Sequence, residues 1–226
     1  MTLPLLPLLA LLPWMGALLL AGLPATARRG AAGLAGAVAL LALALVLGLA
    51  PAVFAGQVPR WSVAWLPALG LDLGLRLDGL AWLFALLITG IGALVVLYAA
   101  WYLDSRDPAR RFFIFLLLFM GAMLGVVLAD NLILLVLAWE LTSLLLIGYW
   151  HARADARQGA RMALTITGAG GLCLLAGVLL IGHIVGSFKL DVVLASGELI
   201  RAHPLYVTAL VLVLLGAFTK SAQFPF

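Results

Sequence analysis

Two residues stand where ionisable groups are costly. Glu140 lies in the middle of an apolar run from Asn131 to Trp150, and Lys220 lies inside the last apolar run, from Leu205 to Phe224. A charge at the centre of a membrane-spanning helix costs about 3 kcal/mol on insertion scales, so such a group faces a protein interior or a wet cavity. One carboxylate and one amine in a membrane suit proton transfer. Two unit charges about 10 Å apart at an effective dielectric of about 20 interact by roughly 1.7 kcal/mol, just over a factor of ten in a protonation equilibrium. A small movement of Glu140 toward or away from Lys220 therefore suffices to gate a proton. The plainer alternatives are a structural ion pair or a protonated carboxyl bonded to a neighbouring helix for Glu140, and snorkelling to an interface for Lys220.

The neighbours of both residues sharpen this chemistry. Ser143 is one helical turn beyond Glu140 and is a candidate hydrogen-bond partner for it. Thr219, Ser221 and Gln223 surround Lys220, and a polar run at membrane depth implies water. Five further polar residues carry weaker signals. Asp78 precedes Gly79 and suits a helix N-cap. Asp130 suits a turn, His183 an interfacial or proton-relaying position, and Thr165 and Thr167 bonds to their own helix backbone.

Helices must position these groups. Spanning helices need about 20 mostly apolar residues. Seven such runs are present, over 3–23, 30–54, 79–103, 112–129, 131–150, 162–186 and 205–224, in a single transmembrane domain covering 1–226. The stretch 112–150 is about two bilayers long, and Asp130-Asn131 predicts a tight hairpin near its middle. Pro225 predicts a break in the seventh helix, which membranes tolerate where a cavity is lined. The sixth run is rich in small residues, among them Gly168, Gly170, Gly171, Gly177 and Gly182, which predicts close helix packing. The N-terminal run lacks a basic n-region and precedes Arg28-Arg29, so it reads as a first transmembrane helix in preference to a signal peptide.

The composition agrees with a polytopic, all-α membrane protein. Hydrophobic residues make up 66% and charged residues 10%, against about half and a quarter in soluble domains; mean hydropathy is +1.24. The net charge of +4 comes from arginines at helix ends, a topology signal that gives no reason to expect nucleic acid as a partner. A single cysteine, Cys173, and three scattered histidines, His151, His183 and His203, predict no disulfide, metal site or cofactor. Arg28, Arg29, Arg106, Arg110, Arg111, Arg153, Arg157 and Arg161 fall on one side of the predicted spans, and Arg60, Arg76, Lys189 and Arg201 on the other. The positive-inside rule then puts the N-terminus outside a cell inner membrane, with Glu140's helix running inward. The longer outer loops hold Trp61 and Trp65, which suit an interfacial belt.

Several motifs resemble one family. Leu77-Asp78-Gly79-Leu80 with 84–92, Trp139-Glu140-Leu141-Thr142-Ser143, and 216–225 around Lys220 resemble the antiporter-like subunits of respiratory complex I and their Mrp relatives. Residues 119–128 with Asp130-Asn131 look most like the A subunit of the Mrp-type monovalent cation/proton antiporter. The resemblance implies the first half-repeat of an antiporter-like fold. It carries the paired proton-translocation residues of the family's fifth and broken seventh helices onto Glu140 and Lys220. It also implies partner subunits, protons and a monovalent cation such as sodium as cargo, membrane lipid as surroundings and no cofactor. The chain stops after Pro225-Phe226 without a second half-helix, which predicts an N-terminal fragment of a longer protein. The rival reading is a membrane-arm subunit of an NADH–quinone oxidoreductase; a third is a structural scaffold.

Overall fold

The computed structural model describes residues 5–66, 71–104, 107–148 and 154–223. The expected break at Pro225 lies outside these residues, as do Arg106, Trp150, His151 and Arg153. The described chain is helical apart from one small two-stranded sheet. In order it forms α1 (Leu5–Ala21), α2 (Arg28–Phe54), β1 (Arg60–Leu66), β2 (Leu71–Arg76), α3 (Gly79–Tyr102), α4 (Ala109–Leu128), α5 (Leu132–Gly148), α6 (Ala154–Val185), α7 (Leu190–Ala195), α8 (Gly197–Ala202) and α9 (Tyr206–Lys220). Four of these, α2, α3, α4 and α6, are long and apolar enough to cross a membrane by length and composition. The others among the predicted spans, α1, α5 and α9, are shorter apolar helices. Large apolar side chains stand exposed along them, such as Leu18 at 73% and Leu94 at 65%. Water would penalise that surface and a bilayer would not.

The chain divides into two compact units, Met1–Trp61 with Leu75–Leu128, and Ser62–Gly74 with Ala129–Phe226. In the first, α1 to α4 close around Leu9, Leu20, Val46, Phe113, Leu117 and Leu124, all fully buried. Small residues set the approach distances. A Cβ on Gly16 would run into Val38 of α2 and Leu117 of α4, and one on Gly121 into the indole of Trp14. Trp82 ties α3 to α2 by donating from Nε1 to the Val46 carbonyl at 2.8 Å. Arg28, a topology signal in the sequence, also has a local task. It donates to the Leu103 carbonyl at 3.0 Å and the Asp107 carbonyl at 2.8 Å, satisfying carbonyls just past the end of α3.

In the second unit α6 packs along α9 and α5. Its core is Val136, Leu174 and Val178, with Trp139, Phe188 and Val213 against them. Most of the named glycines of α6 do admit neighbours, Gly177 facing Val213 and the Ala209 carbonyl and Gly182 the Phe188 ring, whereas Gly168 meets open space. Three residues, 129–131, separate α4 from α5. Asn131 is buried and caps α5, its Oδ1 accepting from Ile133 N–H at 2.7 Å and Leu134 N–H at 3.4 Å. The turn is stitched on both sides. Asp130 N–H donates to the Gly74 carbonyl at 2.9 Å, Leu190 N–H donates to the Asp130 carbonyl at 3.0 Å, and Asn131 bridges to Lys189.

Several boundaries differ from the sequence expectation. The predicted loop 56–78 contains β1 and β2, because Leu71-Asp72-Leu73-Gly74-Leu75-Arg76 alternates with the strand period of two. The predicted loop after α6 contains α7 and α8. Helix α6 begins at Ala154, eight residues before the apolar run, since hydropathy marks membrane depth and not the helix start. Helix α9 ends at Lys220 and not at Phe224. Ala222 takes a left-handed φ of 50°, and Gln223 N–H reaches back to the Phe218 carbonyl at 3.1 Å. That six-to-one bond is a Schellman cap. The helix therefore stops well before the proline, and Ala222 sits in a conformation that costs a non-glycine residue roughly 1–2 kcal/mol.

Candidate functional site

Glu140 sits at the middle of the 17-residue α5, and Lys220 is the last residue of α9; both are half-buried. Lys220 reaches α5 directly. Its Nζ donates to Ser143 Oγ at 2.5 Å and to the Trp139 carbonyl at 3.1 Å, and it lies 5.6 Å from the Trp139 ring centroid. The ammonium thus has two oxygen acceptors and an aromatic face, all from one turn of α5. A cation held this way gains from charge-assisted bonds and from the ring quadrupole. Lys220 also stands in the last turn of α9, where a basic residue complements the helix dipole.

Glu140 points elsewhere. Its carboxylate lies against Gly171 of α6, where an added Cβ would collide with it. Glu140 Oε1 is buried and accepts no hydrogen bond among the described residues. Ser143, expected as a partner for Glu140, is instead the partner of Lys220. A serine one turn along the same helix is no nearer to a glutamate than to a lysine entering from a second helix, and the ammonium supplies the stronger donor. Glu140 and Lys220 are near enough for their charges to interact, yet the hydrogen bonds of Lys220 go to Trp139 and Ser143.

The remaining sequence candidates divide. Thr219 is buried, donates to the Gly216 carbonyl at 2.9 Å and seats against Gly170. Gln223 is exposed, and its backbone closes the cap of α9. His183 is exposed in the last turn of α6, twelve residues beyond Gly171 and so about 18 Å along the helix. Thr165 and Thr167 donate to the carbonyls of Arg161 and Ala163 on their own helix. Asp78 belongs to the first unit, where it caps α3 by accepting from Ala81 N–H at 2.8 Å and pairs with Arg76. Burial pushes its carboxyl up, but the bonds from Ala81 and Arg76 outweigh this and hold it below its ordinary value. Sequence reasoning missed Trp139 as a ligand of the ammonium, and gave Gly170 and Gly171 packing alone. The Trp-Glu adjacency and the glycine pair were the available signals.

Two family models match the chain. Residues 65–113 match "NADH-Ubiquinone oxidoreductase (complex I), chain 5 N-terminus", and residues 129–226, which contain Glu140 and Lys220, match "NADH:quinone oxidoreductase/Mrp antiporter, TM". Among curated relatives, the probable A/B subunit of a K(+)/H(+) antiporter of Rhizobium meliloti is 57% identical over 98% of this chain and 22% of its own length. The A subunit of the Na(+)/H(+) antiporter of Alkalihalophilus pseudofirmus is 48% identical over 76% of this chain and 22% of its own. The chain therefore spans about a fifth of the length of these relatives. Among solved structures, a chain of the Mrp complex from Dietzia sp. superposes with a TM-score of 0.79 at 34% identity, over 98% of this chain and 24% of that one. A chain of respiratory complex I from Thermus thermophilus does so at 0.73 and 29%, over 96% and 43%. A predominantly helical membrane protein with these matches across both units belongs to the family of antiporter-like membrane subunits that NADH:quinone oxidoreductases and Mrp antiporters share.

Proposed function

We propose that this chain forms part of the proton path of the A subunit in a multisubunit monovalent cation/proton antiporter. Lys220 carries the proton, and Glu140 sets how readily Lys220 takes it up and gives it away. The observation that carries this reading is the seating of the Lys220 ammonium on Ser143 and Trp139, the turn of α5 that also bears Glu140. The two groups sit on separate helices and are not locked in a direct bond, so the carboxylate can modulate the amine without neutralising it permanently. Curated relatives named as K(+)/H(+) and Na(+)/H(+) antiporter subunits support a monovalent cation as the counter-transported ion, with other subunits as partners. The arginine distribution supports a cell-membrane location with the N-terminus outside.

The test uses the full-length protein in its assembled complex. Everted vesicles are energised, and sodium or potassium is added while the collapse of the proton gradient is followed. Glu140→Ala and Lys220→Ala should each abolish exchange at unchanged complex yield. Wild-type exchange in both, with normal assembly, would sink the reading. The match to a complex I family model favours one rival, a membrane-arm subunit of an NADH–quinone oxidoreductase. Genes for quinone-reductase subunits beside this one, in place of small antiporter subunits, would decide for it.

A further inference from the structure

We propose that Gly171 is a positioning residue that fixes where the Glu140 carboxylate stands, and that its neighbour Gly170 does a different job. This rests on the reading of Glu140 as the modulator of Lys220. Both glycines are buried on the face of α6 that meets the site. At Gly171 an added Cβ would occupy the space of all three atoms of the Glu140 carboxylate group. The carboxylate therefore lies directly against helix backbone, as only a residue without a side chain permits. At Gly170 the obstacle is Thr219, including its Cβ at 2.6 Å, and Gly216 of α9 faces the Gly170 carbonyl from an ideal Cβ position 2.9 Å away. The two contacts differ in kind. A glutamate tip can swing aside on three torsions, so a methyl group at 171 displaces the charge and leaves the helices in place. Thr219 is stiff and close to its backbone, so a methyl group at 170 must push α9 away from α6.

Neighbouring glycines thus act on the two charged residues separately. Gly170 sets the depth at which α9 seats, through the residue before Lys220, while Gly171 sets the position of the carboxylate. Close packing alone would make both substitutions fail in the same way; the geometry separates them.

The experiment substitutes each glycine in the full-length protein within its complex. Gly170→Ala is expected to lower complex yield. Gly171→Ala is expected to assemble normally yet lower cation-driven exchange by about tenfold or more, the penalty of a misplaced group near the reacting centre. Glu140→Asp withdraws the carboxylate by one methylene. Combined with Gly171→Ala it should give exchange well above the product of the two single effects. The carboxylate is also read without exchange, by its rate of labelling with dicyclohexylcarbodiimide followed by mass spectrometry. Labelling of Glu140 should be faster in Gly171→Ala, because Oε1 no longer lies buried against α6. Wild-type exchange in Gly171→Ala, a double variant at the simple product, or unchanged labelling would each overturn the proposal. Should Glu140→Ala itself exchange normally, the antiporter reading of Glu140 fails, and labelling alone then decides the contact.

Discussion

Ser143 offers the sharpest test of how Lys220 is held. The Lys220 ammonium has two oxygen acceptors, and Ser143 Oγ at 2.5 Å is the nearer. The other, the Trp139 carbonyl, is shared, since the buried Thr142 hydroxyl also donates to it at 2.7 Å. Ser143→Ala therefore removes the less divided acceptor and leaves the ammonium with half a carbonyl and a ring face. A hydrogen bond to a charged group contributes about 1.5–3 kcal/mol, so the share of ammonium in this position should fall by about tenfold to a hundredfold. If transfer proceeds from this position, the initial rate of exchange in everted vesicles drops by about tenfold at least. Ser143→Thr keeps a hydroxyl on the same carbon and should retain most of the rate. The loss on Ser143→Ala should vanish in a Lys220→Ala background, since no ammonium is left to hold. Full-rate exchange in Ser143→Ala, with normal complex yield, would refute this seating of Lys220.

The caps make further predictions. Asp78 is held below its ordinary value in the folded chain, so its contribution to stability is complete above the unfolded value of about 4 and disappears as pH falls through the lowered folded value. Asp78→Asn should remove that acid-side loss, read as thermal midpoint against pH between neutral and about 3; an unaltered acid profile would contradict it. Asp78→Ala also removes the cap on α3, at a cost of about 1 kcal/mol at neutral pH. Asn131→Ala should cost about 1 kcal/mol of α5's first turn, so the amides of Ile133 and Leu134 exchange about fivefold faster with deuterium while those near Glu140 keep their protection. Equal protection at 133 and 134 would mean that the turn is held by its backbone bonds to Gly74 and Phe188 alone.

Much of the fold was legible because membrane insertion is judged locally. Apolar runs mark α1 to α6 and α9, and Asp130-Asn131 marks the interruption between α4 and α5. The strand signal in 71–76 was also legible, as strict alternation of leucine with smaller or polar residues, but a reading tuned to long apolar runs passes over it. The end of α9 was not. The apolar run carries on to Phe224, whereas the helix stops at Lys220 through a left-handed alanine and a bond back to Phe218. Alanine is the best helix former, so propensity at 222 points the wrong way; closure of the cap overrides it.

The sequence by itself singled out Glu140 and Lys220, because the cost of burying a charge belongs to a residue and to the helix that carries it. It also determined the class of protein and, through its motifs, the family. Only the tertiary structure decided the partners. Ser143 serves Lys220 and not Glu140, Trp139 contributes a carbonyl and a ring, and two adjacent glycines of α6 meet two different elements. Those pairings depend on how α5, α6 and α9 rotate and cross, and crossing is a property of packed surfaces that no single helix contains.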